Sequence, residues 1–239
     1  MAVVVPAHNE ALHLEVVLRT IPSFVDTIIC VDDGSTDTTA KIAASVDGVV
    51  VVRHRRNRGV GAALVSGYLK ALELDMDIVA VMAGDGQMDP TELSSLVAPI
   101  ASGELDYVKG DRLAHPDVTA RMPTVRRIGT RALAHLTRLV AGPAAVPELR
   151  DAQCGYTAIS ATALRRLPLQ RLYPRYGYPN DLVVMLACLG ARIGHRTVSP
   201  VYGDESSGLR PLRALFTHSY VLGRAALWRL RHRRLQARI

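Results

Sequence analysis

Cysteine is scarce in this chain and never occurs in a metal-binding spacing. The three cysteines, Cys30, Cys154 and Cys188, are far apart, and each lies among apolar residues. An odd number of cysteines argues against a disulfide framework, and the absence of a CxxC pair excludes the common zinc motifs. Because free cysteine is among the residues most often buried, we expect three reduced thiols in the core.

The chain also lacks a long apolar run. Its longest stretch of apolar residues and glycine, Leu182–Ala191, has ten residues, whereas a helix that spans a membrane needs roughly 20. The strand-like segment Ala2–Val5 begins almost at once, without the basic and apolar regions of a signal peptide. We therefore expect a cytoplasmic protein without a transmembrane helix.

Acidic residues are missing from the C-terminal segment. The net charge is +7, but Leu209–Ile239 contains eight arginines and no Asp or Glu, which leaves 21 basic and 22 acidic residues in Met1–Gly208. A nucleic-acid-binding domain usually spreads its positive charge over a docking face, so we expect no nucleic-acid partner. A basic segment of this kind favours an acidic partner or an anionic membrane surface, such as the inner face of the cell membrane.

Apolar residues make up 49% of the chain, which is enough for a sizeable core. Up to about Ser102, short β-branched runs alternate with segments whose apolar residues recur at helical spacing. This alternation predicts an α/β fold with a mostly parallel sheet flanked by helices. Later in the chain the pattern predicts a strand at Gln153–Ile159 and a helix at Leu212–Leu235.

Acidic side chains follow two of the predicted strands. The segment VMAGDGQMDP places Asp85 and Gln87 just beyond an apolar run, and the segment VDDGSTD places Asp33 beyond another. In α/β proteins, ligands bind outside the carboxyl ends of the strands. Mg²⁺ commonly takes one or two carboxylates together with substrate phosphates. The two segments therefore predict a nucleotide and metal site, and Asp37 is the expected N-cap of the next helix.

The first strand runs into a turn that contains Pro6, His8 and Glu10. A turn that opens a helix presents backbone N–H groups, which suit the anionic groups of a nucleotide. The alternative is structural, since Asn9 and Glu10 would also cap the helix. The turn at Arg58–Gly61 opens a helix in the same way and is a candidate neighbour of a phosphate.

Together these segments resemble the family 2 glycosyltransferases, and in particular the dolichol-phosphate mannose synthases and related polyprenyl-phosphate glycosyltransferases. The resemblance extends from Val3 to about Gly208, over the segments VVVPAHNE, VDDGSTDTT, RGVG, GDGQMDP, KGDR, DAQCGYTAIS and YGYPNDL. It implies a GT-A (Rossmann-like) fold, an inverting sugar transfer from a nucleotide-diphospho sugar (a UDP- or GDP-sugar), and Mg²⁺ or Mn²⁺ as cofactor. On this basis we expect a glycosyltransferase domain over residues 1–208, with a nucleotide-binding half at 1–102 and an acceptor half at 103–208, and a basic helical tail at 209–239.

On the donor side, the resemblance implies four residues that bind the nucleoside: Pro6, His8, Glu10 and Asp33. Asp85 matches the second aspartate of the family's Asp-x-Asp motif, which implies nucleotide binding, metal binding and a catalytic role. Gln87 matches a glutamine close to the metal. The first aspartate of that motif is replaced by Ala83, so the chain lacks one of the usual carboxylates.

On the acceptor side, the resemblance implies a set of residues that contact phosphate or the acceptor: Arg112, either Arg126 or Arg127, Asp151, Gln153 and Tyr178. Arg210 is a further candidate for a phosphate contact. Arg112 is also a catalytic candidate, because an arginine fork suits phosphate oxygens. Asp181 is a candidate catalytic base, but a base is needed for a hydroxyl acceptor and hardly at all for a lipid phosphate that is already anionic. Arg210 belongs to the loop 204–210, which is either a lid over the diphosphate or an ordinary loop.

The predicted helix Leu212–Leu235 has three interpretations. Leu222, Leu227 and Trp228 stand among arginines, which is typical of a basic amphipathic helix in a membrane interface. Contact between two copies of the chain in a homo-oligomer explains the pattern equally well, and so does packing on the domain.

The leading hypothesis is an inverting, metal-dependent glycosyltransferase with a polyprenyl phosphate acceptor. The runner-up acceptor is a small soluble or secondary-metabolite hydroxyl, with Asp181 as base. Ala83 also leaves open a protein that binds a sugar nucleotide without turning it over. A nucleotidyltransferase is less favoured, since no GxGxR-type start occurs near residue 5.

Overall fold

The computed structural model describes residues 1–201 and 211–236. In this part of the chain seven strands form one sheet: β1 (Ala2–Ala7), β2 (Thr27–Asp32), β3 (Val49–Arg53), β4 (Ile78–Val81), β5 (Tyr107–Asp111), β6 (Thr157–Ser160) and β7 (Ile193–Thr197). Their order is β3-β2-β1-β4-β6-β5-β7. β6 is antiparallel to β4 and to β5, and the other pairs are parallel. Six strands therefore share one direction and end at the same edge.

Helices cover both faces of this sheet. Among the described residues the α-helices are α1 (Leu14–Thr20), α2 (Thr39–Ser45), α3 (Val60–Glu73), α4 (Leu93–Ala101), α5 (Val118–Arg121), α6 (Thr124–Ala141), α7 (Ala161–Arg166), α8 (Tyr178–Cys188) and α9 (Pro211–Gln236). Successive side chains of a strand point to opposite faces, so Val4 packs with α3 and α8 while Val3 and Val5 pack with α1 and α4. The predicted α/β fold is confirmed.

The strand predicted at Gln153–Ile159 is shorter than expected. It begins only at Thr157, because the amides of Gln153 and Cys154 do not pair with a neighbouring strand. Both donate to Oδ1 of Asp151, each at 3.0 Å. The carboxylate thus turns the chain before it enters β6, and α7, which follows β6, was not predicted at all.

The three cysteines are free, as expected. Cys30 and Cys154 are buried, and Cys188 is half-buried. Burial, and then the charge of Asp32, raise the pKa of the Cys30 thiol to about 12. Cys30 is therefore a protonated core side chain at neutral pH.

The start of α3 is closed off by the chain segment Tyr173–Pro174. The Ala62 amide donates to the Pro174 carbonyl at 3.1 Å, and a Cβ on Gly61 would lie 2.1 Å from the Tyr173 carbonyl oxygen. The backbone amides that the Arg58–Gly61 turn was expected to offer a phosphate are thus partly taken up by protein. That a phosphate lies near this helix start stays a prediction.

Gly61→Ala is expected to destabilise the fold by about 2 kcal/mol or more, because the new methyl group meets rigid backbone. Gly129→Ala is the matched control, since Gly129 also lies within a helix and a methyl group added there would meet nothing within 4 Å. That change should stabilise by up to about 1 kcal/mol, as alanine normally does in a helix. Urea unfolding of both variants measures the difference, and equal effects would contradict the packing described.

The C-terminal helix α9 packs on the domain. Val221 and Ala225 are buried, and the Tyr220 ring meets Tyr173 edge-on, with ring centroids 6.2 Å apart. Arg229 donates to the Val140 carbonyl at the end of α6, where unpaired helix carbonyls favour a cation. The described part of α9 thus fits the third interpretation, packing on the domain. Among the helices described, none is long and apolar enough to cross a membrane.

Candidate active site

The predicted site segments meet at one edge of the sheet. β1, β2, β4 and β5 end there, and because β6 runs the other way, its first residue lies there too. Four chain segments leave the sheet at this edge, after Ala7, Asp32, Val81 and Asp111, and one segment enters it just before Thr157. Residues that are far apart in the sequence are thereby gathered into one region.

The turns after β1 and β2 are hydrogen-bonded into one unit. The Asn9 amide donates to Ser35 Oγ at 3.0 Å, and Asn9 Oδ1 accepts from the Thr36 amide at 2.9 Å. Asn9 has a φ of +58°, a left-handed conformation that asparagine adopts more readily than most residues. The N-cap residue of α1 is His13, so the structural alternative in which Asn9 caps this helix is wrong.

The carboxylate of Asp37 also links the turns that follow β1 and β2. Its Oδ2 accepts from the Ala11 amide at 3.3 Å, and its Oδ1 accepts from the Thr39 amide at 2.9 Å. Thr38, not Asp37, is the N-cap residue of α2. The prediction was wrong by one position, because the Asp37 carboxylate bridges to the neighbouring turn.

Asp33 is enclosed, with 3% of its surface exposed. Its Oδ1 lies 2.7 Å from Nδ1 of His54 and accepts from the Arg58 amide at 2.9 Å, while Oδ2 accepts from the Gly59 amide at 2.7 Å. These bonds fix the turn that leads into α3. Asp33 thus has a structural task, and its recognition of a base stays a prediction.

Pro6, His8 and Glu10 lie along the path from β1 into its turn. The Pro6 carbonyl accepts from the Gly84 amide at 3.1 Å, which joins the end of β1 to the turn of Asp85. Nδ1 of His8 is buried and has no hydrogen-bond partner among the residues that the structure describes. Such unpaired buried atoms are rare in folded proteins.

Asp85 stands in the turn that follows β4. Its Oδ1 accepts from the Gln87 amide at 3.0 Å, and Gly86 between them has a φ of +74°. Aspartate commonly forms such a turn with its own backbone. Both Asp85 and Gln87 are half-buried, so the turn holds the carboxylate and the amide side chain at the edge of the sheet.

Tyr176 belongs to this region, and sequence reasoning missed it. It is 64% exposed. Partial burial of its hydroxyl, and then the negative charges of Asp85 and Glu10, raise the pKa of Tyr176. The three side chains are therefore close enough to interact. Tyr176 could have been found from the sequence, because it belongs to the segment YGYPNDL, of which only Tyr178 and Asp181 were predicted to be site residues.

The donor atoms at this edge fit one kind of metal site. Within residues 1–201 and 211–236, no three His, Cys, Asp or Glu side chains form a cluster that could hold a metal ion. With Ala83 in place of an aspartate, Asp85 and the amide oxygen of Gln87 remain. This set fits an ion that takes its other ligands from substrate phosphates and water, and it does not fit a site built by protein alone.

Arg112 and Asp151 form an ion pair at the same edge of the sheet, beyond the end of β5. Nε of Arg112 donates to Oδ2 of Asp151 at 2.7 Å, and Nη2 donates to Oδ1 at 3.1 Å. Asp151 is fully buried, and the Arg112 side chain is 15% exposed. Two of the guanidinium nitrogens proposed for phosphate are thus engaged by protein, and the predicted contacts of both residues with the acceptor remain predictions.

A lysine is buried beside this pair. Lys109 lies in β5, is fully buried, and donates to the Cys154 carbonyl. Burial lowers the pKa of Lys109, while the charges of Asp151 and Asp111 oppose that shift. Lys109 and Arg112 therefore lie close to two carboxylates, those of Asp151 and Asp111.

Gln153 connects three helices. Its Nε2 donates to Oδ1 of Asn180 on α8, and its Oε1 lies 3.1 Å from Nε2 of His218 on α9. The Asn180 side chain in turn donates to Thr137 on α6 at 2.6 Å. The structure therefore gives Gln153 an internal role, and its predicted contact with the acceptor is untested.

Asp181 lies inside the domain and is 1% exposed. Its Oδ2 accepts from the Tyr173 amide at 2.9 Å and from Arg224 of α9 at 2.8 Å. Burial raises the pKa of Asp181, and the Arg224 charge opposes that shift. Tyr178 is also buried, with its hydroxyl 3.5 Å from the position of a Cβ on Gly155. Both side chains hold the segment that carries Tyr176.

The remaining predicted residues fall elsewhere. Arg126 and Arg127 lie in the first turn of α6, where Arg126 is exposed and Arg127 is half-buried. Their contact with phosphate stays a prediction. Arg210 and the loop 204–210 lie outside the residues that the structure describes.

His195 provides a pH-dependent contribution to stability. It pairs with Lys109 across β5 and β7. Burial, and then the charges of Lys109 and Arg150, lower the pKa of His195 to about 4. In the unfolded chain the imidazole gains its proton near pH 6.5. Folding stability is therefore expected to fall as the pH drops from about 6.5 toward 4, by about 3 kcal/mol from this group.

His195→Gln should remove that part of the pH dependence. The measurement is urea unfolding at pH 7 and near pH 4.5 for the wild type and the variant. His135→Gln, on the exposed face of α6, is the control and should keep the wild-type profile. A His195→Gln variant with an unchanged profile would show that the imidazole is not held neutral in the fold.

A mostly parallel sheet with helices on both faces, and with polar side chains gathered beyond the carboxyl ends of its strands, is the arrangement in which α/β proteins bind ligands. The family model described as Glycosyl transferase family 2 matches residues 2–167. The chain belongs to this family and is a glycosyltransferase, as the resemblance implied. The alternatives outside this class, a non-catalytic binding protein and a nucleotidyltransferase, are thereby disfavoured.

Relatives and solved structures agree with this assignment. The chain is 29% identical over 220 residues to the UDP-N-acetylglucosamine–dolichyl-phosphate N-acetylglucosaminyltransferase of Methanococcus voltae, over 85% of this chain and 86% of that one. It is 30% identical over 197 residues to the undecaprenyl-phosphate mannosyltransferase of Micrococcus luteus, over 80% and 79% of the two chains. Glucosyl-3-phosphoglycerate synthase from Mycobacterium tuberculosis, solved with Mn²⁺, UDP and phosphoglyceric acid, matches with a TM-score of 0.68 at 23% identity, over 95% of this chain and 77% of that chain. This likeness confirms the GT-A fold.

Proposed function

We propose that this chain transfers a sugar from a nucleotide-diphospho sugar to a polyprenyl phosphate, with inversion at the anomeric carbon. Two relatives support the acceptor, since one is named for dolichyl phosphate and the other for undecaprenyl phosphate. The observation that carries the proposal is the set of contacts around Asp181. Oδ2 of this buried carboxylate already accepts from the Tyr173 amide and from Arg224, so an acceptor that needs no catalytic base is favoured.

On the donor side, the turn from Pro6 to Glu10 would bind the nucleoside together with Asp33. Nδ1 of His8 is buried and has no hydrogen-bond partner in the described part of the chain, which supports this role because a ligand atom would satisfy it. Asp85 and Gln87 would hold Mg²⁺ or Mn²⁺ against the donor diphosphate. When bound, the ion neutralises the charge that develops on the leaving diphosphate.

Tyr176 and Arg112 would complete the site. The charges of Asp85 and Glu10 act on the Tyr176 hydroxyl. Tyr176 would therefore lie beside the donor sugar or its phosphates. Arg112, oriented by Asp151, would bring its guanidinium charge close to the acceptor phosphate. That phosphate oxygen attacks the anomeric carbon from the side opposite the departing diphosphate, and an oxygen that is already ionised needs no proton removed.

A small soluble hydroxyl acceptor is the second candidate. It is favoured by the match to glucosyl-3-phosphoglycerate synthase, a protein of this fold solved with phosphoglyceric acid. In that case Asp181 would have to leave Arg224 and act as the base. Asp181→Asn separates the two roles. If Asp181 is the base, the variant should lose transfer and change the pH profile of the remaining rate. If Asp181 only positions the segment, the variant should lose stability and keep the wild-type pH profile.

The proposal is tested by transfer from a radiolabelled UDP- or GDP-sugar to three acceptors under the same conditions. Undecaprenyl phosphate is expected to accept the sugar, and undecaprenol, which lacks the phosphate, is expected to accept none. 3-Phosphoglycerate serves as the small soluble acceptor. Transfer to 3-phosphoglycerate or undecaprenol but not to undecaprenyl phosphate would overturn the proposal.

A further inference from the structure

Most of the large apolar side chains of α6 point away from the core. The helix buries the small residues Thr130, Ala134, Thr137 and Ala141. Of its six large apolar residues, Leu133 and Val140 are half-buried, and Val125, Ile128, Leu136 and Leu139 are between 46% and 84% exposed. A surface helix normally turns its large apolar residues inward, so α6 departs from the usual pattern.

The neighbouring helix α9 repeats this feature. Its exposed apolar residues are Phe216, Tyr220, Leu227 and Leu230. They are spaced by four, seven and three positions, and those of α6 by three, eight and three, so each set forms one stripe along its helix. Of the thirteen large apolar side chains exposed in the described part of the chain, eight lie in these two stripes. The exposed apolar surface is therefore concentrated, which marks an interaction site.

Both stripes face away from the same element. Helix α8 is buried over most of its length. Thr137 of α6 accepts a hydrogen bond from Asn180 of α8, and Val221 of α9 lies against Gly177, the N-cap residue of α8. On each helix the stripe lies roughly half a turn around from these contacts, at about 100° per residue. The Arg229 contact with α6 keeps the two helices side by side.

The charge around the stripes has one sign. Helix α6 contains four arginines and α9 contains six, and neither helix contains Asp or Glu. Arg131 of α6 and Arg231 of α9 are exposed. Apolar stripes bordered by arginine suit the boundary between headgroups and acyl chains, where the cation meets anionic lipid and the apolar side chains enter the membrane.

We propose that the outward faces of α6 and α9 together form a docking surface for an anionic lipid bilayer. A second copy of the chain is disfavoured, because a symmetric contact through these faces would bring arginine against arginine with no carboxylate from either helix. The surface is also tied to the sheet edge, since His218 of α9 contacts Gln153 at the entrance to β6. If the proposed function holds, docking would bring the site to the headgroups, where a lipid phosphate lies.

Vesicle flotation of the full chain tests the surface. Vesicles of phosphatidylcholine alone and vesicles that also contain phosphatidylglycerol are compared at low and high salt. We expect binding to the anionic vesicles that weakens with salt. Ile128→Gln with Leu136→Gln on α6, or Phe216→Gln with Leu227→Gln on α9, should each lower the bound fraction at least about tenfold, because burial of one large apolar side chain is worth roughly that factor.

The matched control is Leu69→Gln on α3, an exposed leucine outside the two stripes, which should bind like the wild type. Circular dichroism confirms that each variant is folded. No binding to anionic vesicles, or equal binding by all variants, would overturn the proposal. So would a dimer in sedimentation equilibrium that the double variants dissociate. Donor binding in solution is measured in parallel, so that failure of the docking surface and failure of the proposed function are told apart.

Discussion

Asp85→Asn is expected to lower sugar transfer by on the order of 100-fold or more while the fold stays intact. The asparagine keeps the oxygen that accepts from the Gln87 amide, so the turn after β4 is preserved. What is lost is the negative charge that would hold the metal against the donor diphosphate, and removal of charge stabilisation in a transition state commonly costs this much. Initial rates at saturating Mn²⁺ measure the effect.

Asp89→Asn is the matched control for Asp85. Asp89 lies four residues further on, and its Oδ1 accepts from the Thr91 amide at 2.9 Å as an N-cap. That variant should keep most of its activity and lose at most about 1 kcal/mol of stability. A comparable loss of activity in both variants would mean that sugar transfer depends on the conformation of the segment rather than on the charge of Asp85.

Asp151→Asn is expected to destabilise the protein by about 3 kcal/mol. Asparagine still offers an oxygen to the amides of Gln153 and Cys154, so the change mainly leaves the Arg112 guanidinium uncompensated. Removing one partner of a buried ion pair typically costs this much. Burial alone would raise the pKa of Asp151, but the charge and hydrogen bonds of Arg112 outweigh burial and lower it. The wild-type advantage should therefore persist above about pH 4 and shrink below it.

Asp106→Asn supplies the comparison, because Asp106 and Arg192 form a pair of the same forked geometry at the surface. Nε and Nη2 of Arg192 donate to Asp106 at 3.1 and 2.9 Å, but the arginine side chain is 55% exposed. Exposed pairs contribute about 1 kcal/mol or less. Urea unfolding at neutral pH should separate the two variants by about 2 kcal/mol, and equal losses would show that burial does not control the energy of the Arg112 pair.

Much of the fold could be predicted from the sequence, because helix and strand periods are local properties. The strands and helices between Ala2 and Ala101 alternate as the pattern indicated. The antiparallel direction of β6 could not be predicted, because the sequence of Thr157–Ser160 does not determine which strands it pairs with. The late start of β6 depends on the Asp151 carboxylate. It accepts hydrogen bonds from the amides of Gln153 and Cys154, which the sequence pattern predicts to pair with a neighbouring strand.

The site was predictable in position and less so in contacts. Sequence reasoning gathered Glu10, Asp33 and Asp85 because each follows a strand. It could not foresee that Asp33 binds the Arg58–Gly59 turn or that Asp181 pairs with Arg224, since both contacts join segments distant in the chain. Side chains selected as ligands are thus also structural partners.

Calorimetric titration of the wild type and Asp85→Asn with UDP-, GDP- and dTDP-sugars, each with and without Mn²⁺, tests the central claim. One donor is expected to bind the wild type with Mn²⁺ and at least about tenfold more weakly when either Mn²⁺ or the Asp85 charge is absent. Mn²⁺ alone should bind only weakly, because the protein supplies too few ligands. Failure of every donor to bind, or donor binding that ignores both the ion and Asp85, would contradict a metal-assisted donor site at this edge of the sheet.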